Sequence, residues 1–227
     1  MHNITYTLNR SKRKTLVLRV TAEGTVEVRA PFHVPRREID RFVASKQQWI
    51  KTRQIAREGL WREKEAFTLA YGSSVMVRGR EYSLTAKEGT QAGFDGTCFY
   101  LPPGLSSDEL KRGVVRIYRI MAKNLLTDRA DHYAKITGLI PAAVKISNAK
   151  TRWGSCSAKN SVNFSWRLVM AEDDVIDYVV VHELAHIREH NHSDRFWAVV
   201  RGILPDYHLR QGKLKKLQQR LAAENWD

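Results

Sequence analysis

The chain is poor in cysteine, has no apolar run of membrane length and shows no compositional break, and each absence narrows what it can be. Its 227 residues include two cysteines, Cys98 and Cys156, far apart in sequence. Two thiols so separated make no disulfide framework, which fits a reducing compartment, and a small buried thiol is the common role for a residue such as Cys156. No stretch approaches the roughly 20 apolar residues of a spanning helix. Met1-His-Asn-Ile-Thr-Tyr6 has no apolar signal-peptide core, so a cytoplasmic protein without membrane association is expected. No long linker, repeat or low-complexity segment interrupts the chain. Its length suits one large or two small domains, its 43% hydrophobic content is ordinary for a globular protein, and nothing in it specifies an oligomeric state.

Acidic residues are the scarcer charge. There are 38 Lys and Arg against 24 Asp and Glu, a net charge of +14, which predicts attraction to polyanions. The basic residues gather in Ser11-Lys-Arg-Lys14, between Arg36 and Arg62, and in Arg210-Gln-Gly-Lys-Leu-Lys-Lys216. Each cluster alone reads most simply as a solvated face. No helix-turn-helix, zinc-finger or aromatic RNA-binding signature accompanies them, so the charge supports non-specific nucleic-acid association and not sequence reading. The G-x-x-x-x-G-K-[ST] phosphate loop is also missing.

Against these absences stands one dense motif. His182, Glu183 and His186 form H-E-x-x-H, and His192 follows six residues later. On a helix of 3.6 residues per turn, positions four apart lie one above the other, so both imidazoles can address one ion with Glu183 beside them. Apolar Val175, Ile176, Val179 and Val180 give that helix a wide buried side, and its histidines share a face with Tyr178. Ser193 caps a following helix through Arg201, which leaves His192 in the turn, able to fold back onto the ion. His190 competes as third ligand, but a helix carried straight on would move it along the axis and away from the ion. The spacing from His186 to His192 equals that of the metzincin pattern, with Glu189 where that pattern has glycine. Asn191 is then the expected left-handed residue of the turn. Three neutral imidazoles leave a fourth position open, the mark of a catalytic Zn²⁺ rather than a structural one.

Along the rest of the chain, residues 4–8, 16–20 and 25–29 read as strands of a small antiparallel meander with a turn at Ala22-Glu-Gly24. One amphipathic helix is predicted from after Pro35 to about Gly59. Strands follow at 74–78, 81–85 and 97–101, ended by Pro102-Pro103. A long helix capped by Ser106 or Ser107 runs to about Thr137 and ends at Gly138. Strands at 145–148 and 161–166 flank an irregular Arg152–Ser157 connection, and a last helix from Tyr207 turns Leu209, Leu214, Leu217 and Leu221 inward. Core packing is the commoner role for tryptophans in such segments, Trp153 and Trp166 here. The fold class is α+β, with an N-terminal antiparallel β/helix subdomain over 1–104 and a catalytic domain over 105–227, or one continuous domain.

Three blocks, Lys150-Thr-Arg-Trp-Gly-Ser-Cys-Ser157, Ile176-Asp-Tyr-Val-Val-Val-His-Glu-Leu-Ala-His186 and Asn191-His-Ser-Asp-Arg-Phe-Trp197, resemble the YgjP-like metallopeptidase family. The likeness extends to Ser11-Lys-Arg-Lys-Thr-Leu-Val-Leu-Arg19 and Phe42-Val-Ala-Ser-Lys-Gln-Gln-Trp-Ile-Lys51, and so covers nearly the whole chain. It implies a zincin-like, minigluzincin-type core related to the SprT and WLM peptidases, with zinc on His182, His186 and His192 and Glu183 as general base. Ser165 departs from the pattern, standing where Asn is expected before the tryptophan, as does Glu172, where Pro often leads into the zinc helix.

The leading expectation is hydrolysis of a peptide bond in a protein or peptide substrate. Glu183 takes the proton of a zinc-activated water and passes it to the leaving amine. Tyr178, Arg152 and His190 are candidate contacts to the substrate or the oxyanion, and the strand Val162 to Trp166 is a candidate partner for an extended substrate. A second reading keeps the metal and changes the bond to a nucleotide phosphoanhydride, with Lys and Arg neutralising phosphate. A third makes the chain a nucleic-acid-associated adaptor with a structural metal site.

Overall fold

A computed structural model describes residues 4–21 and 23–226. The chain forms a mixed α+β fold of two compact units, one reaching to Phe67 with Ala222–Asn225 added, the other spanning Thr68–Leu221 with Trp226. No helix among the described residues is long and apolar enough to cross a membrane.

The first unit holds β1 (Thr7–Ser11), β2 (Val17–Val20), β3 (Val26–Pro31), α1 (Arg36–Ser45) and α2 (Gln47–Ala66). Its sheet is not the expected antiparallel meander. The order is β1-β3-β2, with β1 parallel and β2 antiparallel to β3. The physical reason lies in burial: Val26, Val28 and Ala30 make β3 the most apolar strand, and it takes the central place, where both edges are paired. Those side chains join Val20, Val34, Ile39, Val43 and Ile50 in one core. Arg10 closes the far end, its Nη1 donating to the carbonyls of Pro31, Phe32 and Val34 at 2.8–3.0 Å. The expected single helix is two helices broken at Lys46 (φ −104°, ψ 11°), and the second runs past Gly59 to Ala66. Ala22 of the expected turn lies outside the described residues.

The second unit begins with a four-stranded sheet of β4 (Ser74–Val77), β5 (Arg80–Ala86), β6 (Gly93–Phe94) and β7 (Cys98–Leu101), in the order β4-β5-β7-β6. This sheet lies in the same compact unit as the long helix α3 (Ser107–Thr137), the unit that begins at Thr68. An aromatic chain explains the attachment. Phe94 packs on Phe99, Phe99 on Tyr118 of α3, and Tyr118 stacks on Trp166 with ring centroids 5.6 Å apart. The buried Tyr118 hydroxyl donates to the Met76 carbonyl of β4 at 2.8 Å. The helix α3 starts and stops as predicted, with a capping box between Ser106 and Glu109 and a left-handed Gly138 at its end.

After α3 come β8 (Ala143–Ser147), β9 (Gly154–Cys156) and β10 (Ser161–Ser165), then a short 3-10 turn over Trp166–Met170, and α4 (Asp173–Ala185), α5 (Asp194–Ile203) and α6 (Tyr207–Leu221). The sheet order is β8-β10-β9. The hairpin turn between β4 and β5 has both central residues, Arg78 and Gly79, at positive φ, the geometry favoured in two-residue hairpins. Its amides donate to Val169 and Met170 of the 3-10 turn, and a Cβ on Gly79 would come within 2.6 Å of Glu172 Cγ. Only glycine both adopts this φ and permits that approach.

In α6 the inward position at the first turn is taken by Tyr207, stacked on Trp197 at 5.3 Å, and Leu209 is exposed, contrary to expectation.

Candidate metal centre

The centre is built on α4. Its three consecutive valines, Val179 to Val181, have little intrinsic helix preference, so tertiary burial must hold it. Val175, Ile176, Val179, Val180, Val181, Leu184 and Ala185 are all buried, and contacts reach α4 from α3, β9, α5 and α6. Burial all round the helix, not on one side, is what a helix threaded through a core requires. Asp173 and Asp174 occupy its first turn, where carboxylates suit the helix dipole.

The helix ends at Ala185, with His186 as its cap, and the chain reverses through Ile187–Asn191. His192 thereby returns to the two helical histidines. One nitrogen from each of His182, His186 and His192 lies within 4.8 Å of the others, and the ring centroids are 4.7–5.1 Å apart. The exposed His190 stays outside the cluster. Asn191 does not adopt the expected left-handed conformation; the reversal is closed instead by 3.0–3.1 Å backbone bonds from Ile187, Arg188 and Glu189 to Leu184 and Ala185, and by Ser193 N to Asn191 O at 2.8 Å. Ser193 then caps α5 as predicted.

Phe196, one turn into α5 and fully buried, forms the floor beneath all three imidazoles, with centroids at 4.9, 4.5 and 4.7 Å from His182, His186 and His192. Sequence reasoning gave it no role; its place three residues after the Ser193 cap was the available signal.

The donor set fits a transition-metal ion. His186 Nδ1 donates to the Glu189 carbonyl at 3.1 Å, which leaves the Nε2 lone pair free to face an ion. His182 Nδ1 lies 3.4 Å from the Tyr178 hydroxyl, and its Nε2 is 3.0 Å from His192 Nε2. Such outer hydrogen bonds fix the tautomer and aim the ring in metal sites. Burial, then the neighbouring imidazoles, pushes His182 down to about 3, so it stands neutral with a free lone pair at neutral pH. Burial lowers His186 as well. Imidazole nitrogens suit zinc and its neighbours better than hard cations.

Glu183 is 6% exposed. Burial raises its carboxyl to about 7 against the lowering influence of Arg152. Gly154 of β9 sits against it, and a Cβ there would come within 2.5 Å of Glu183 Cγ and 2.6 Å of Oε1. The place of Gly154 is not legible from its neighbours in sequence, because the expected irregular connection holds a strand.

Of the candidate substrate contacts, Arg152 is exposed on the approach to β9 and His190 is exposed on the reversal. Tyr178 lies elsewhere. It is 4% exposed behind His182, with its hydroxyl accepting from Gln211 Nε2 of α6 at 2.9 Å. That placement puts the phenol against Nδ1 of His182, on the other side of the ring from the nitrogen that faces His192. The strand Val162–Ser165 is likewise unavailable to a substrate, because β10 is paired on both sides; the open edge beside α4 belongs to β9.

Three convergent imidazoles beside a buried carboxylate form a group that could hold a metal ion. The chain belongs to the YgjP-like metallopeptidase domain family, whose model matches residues 14–217. None of the curated proteins compared matches it. Among solved structures, it is similar to the metallopeptidase zymogen abylysin of Pyrococcus abyssi, with 23% identity and a TM-score of 0.35 over 44% of this chain and 97% of that one. It is also similar to the zymogen jannalysin of Methanocaldococcus jannaschii, with 20% identity and a TM-score of 0.36 over 42% of this chain and 96% of that one.

Proposed function

We propose that the protein is a zinc-dependent peptidase of the zincin type, with His182, His186 and His192 as ligands and Glu183 as general base. The observation that carries this reading is the convergence of the three imidazoles beside a buried Glu183, in a chain of a metallopeptidase family. When bound, the ion supplies Lewis acidity that acidifies water and polarises a carbonyl. Glu183 accepts the water proton and hands it to the leaving amine, a shuttle that needs a positioned carboxylate, and its burial with a side-chain-free Gly154 beside it fits that role. Arg152 lies near enough for its charge to favour the ionised base.

The open edge of β9 offers the backbone groups of Gly154–Cys156 to an extended peptide, which would pair with it by strand addition and cross the centre beside Glu183. An unfolded stretch of protein is therefore the substrate class.

Elemental analysis of the purified protein should give about one zinc per chain. Glu183→Gln should keep the metal and lose about 10²-fold or more of its cleavage of an unfolded protein. A variant that cleaves as fast as the parent refutes Glu183 as base.

A further inference from the structure

The first 67 residues carry 15 Lys and Arg against 7 Asp and Glu, a net +8, so more than half of the whole chain's +14 sits in less than a third of its length. Within that unit α2 is unusual. Of its 20 residues, Ile50 alone is buried, and two tryptophans stand in solvent, Trp49 at 41% and Trp61 at 55% exposure. Large rings left exposed on a helix mark a surface that meets something.

The order of residues on α2 says what. Trp49, Arg53, Arg57 and Trp61 follow one another at intervals of four and form a ridge about 18 Å long that winds roughly a third of the way round the helix, a path a flexible single strand can follow. Both arginines are exposed, and the Arg53 guanidinium lies over the Trp49 ring at 5.6 Å. The far end of the ridge opens into a cleft of about 570 Å³, walled by Trp61, Arg57 and Gln54, with Gln54 tied to the Gly24 carbonyl at 2.9 Å. Glu23 and Glu58 also line this cleft. Their carboxylates oppose a phosphate there but accept hydrogen bonds from the amino groups of bases. Cations along the ridge, aromatic faces at both ends and acceptors in the terminal cleft form a pattern for phosphates outside and bases inside.

We propose that the Trp49–Arg53–Arg57–Trp61 ridge of α2 binds single-stranded nucleic acid without sequence preference, stacking unpaired bases on the two tryptophans while the arginines hold the phosphates. Stacking needs bare base faces, which a duplex hides, and exposed aromatics interleaved with cations are how proteins grip single strands. An anionic membrane fits less well. At 100° per residue, the exposed Trp49, Ile55 and Trp61 point to three different sides of α2, so the helix has no continuous apolar face to insert. Lys12, Arg13 and Lys14, between β1 and β2, add to the attraction of the same unit for a polyanion. The inference is independent of the metal centre.

The test is fluorescence anisotropy of a labelled 20-nucleotide oligothymidylate titrated with the full-length protein at several salt concentrations. Trp49→Ala and Trp61→Ala should each weaken binding roughly tenfold, whereas Trp49→Phe and Trp61→Phe, which keep a ring, should stay close to the parent. The Arg53→Ala/Arg57→Ala variant should lower the slope of log affinity against log salt by about 1.4. All these side chains are exposed, so circular dichroism should show parent-like helix; if an alanine variant fails to fold, the phenylalanine and arginine variants carry the comparison. Tryptophan-to-alanine variants that bind like the parent, a duplex of equal length that binds as tightly, or capture by phosphatidylserine vesicles without oligonucleotide binding would each overturn the proposal.

Discussion

Gln211 of α6 donates a 2.9 Å hydrogen bond to the Tyr178 hydroxyl, and that hydroxyl stands 3.4 Å from Nδ1 of His182. A residue near the C-terminus thus reaches the metal centre through one buried phenol. Nε2 of His182 is turned toward His192, so a ring that binds an ion through Nε2 would carry its proton on Nδ1, facing the phenol, which would then fix both the tautomer and the ring's direction. Tyr178→Phe removes the oxygen and leaves the ring. It should lower zinc affinity by about 10- to 100-fold, read by competition with a chromogenic chelator. Gln211→Ala should have a smaller effect of the same sign. Unchanged affinity in Tyr178→Phe would show that packing alone positions His182.

Gly154 and Glu183 make the second relationship. A Cβ on residue 154 would overlap the Glu183 carboxylate, whose surroundings leave little room for retreat at 6% exposure. Gly154→Ala should therefore displace the base by a fraction of an ångström to an ångström, enough to cost on the order of 10²-fold in rate. Its zinc content should match the parent, since no ligand is touched. Loss of metal together with activity would place the effect in the fold of β9 and not in the base.

What could be read before the structure, and what could not, divides by sequence distance. The Ser106–Glu109 capping box, the Gly138 stop and the Ser193 cap are matters of three or four neighbouring residues, and each stands where expected. The same locality made His182, Glu183 and His186 legible, because i,i+4 spacing on a helix is itself a geometric statement. His192 needed only a turn. Strand pairing was another matter: that β3 sits between β1 and β2, and that three residues of an apparent loop form β9 against β10, depends on partners far along the chain. Gln211 and Gly154 were invisible for that reason. Each earns its place through one contact, with Tyr178 and with Glu183, across 33 and 29 residues of sequence.

Arg78 and Asp173 tie the β4–β5 hairpin to the start of α4 by two 2.6 Å bonds, Nε to Oδ1 and Nη2 to Oδ2. Hydrogen bonding from Arg78 holds the Asp173 carboxyl below its ordinary value. A carboxyl lowered by folding contributes stability above its unfolded pKa of about 3.9 and loses that contribution as pH falls through the folded value. The pair is nearly half exposed, so solvent screening keeps its worth to about 1 kcal/mol or less. Asp173→Asn should lower the Tm by about 1–4 °C at pH 7. The gap between variant and parent should close on acidification, as the pH falls through the lowered folded value and the parent carboxyl loses its charge. A gap that is constant with pH would assign the loss to the helix start rather than to the ion pair.

His190 and His192 are two residues apart, both exposed, and only His192 joins the cluster. The difference comes from the reversal after Ala185, which turns residue 192 back over the helix end and leaves residue 190 on the outside of the bend. With two imidazoles in place of three, a site loses most of its hold on zinc. His192→Ala should therefore be purified with well under half the parent's zinc and should show no peptidase activity. His190→Ala should keep its full metal content, and any change in its rate measures what that imidazole does for the substrate. A His190→Ala protein that loses zinc while His192→Ala retains it would reverse the assignment of the third ligand.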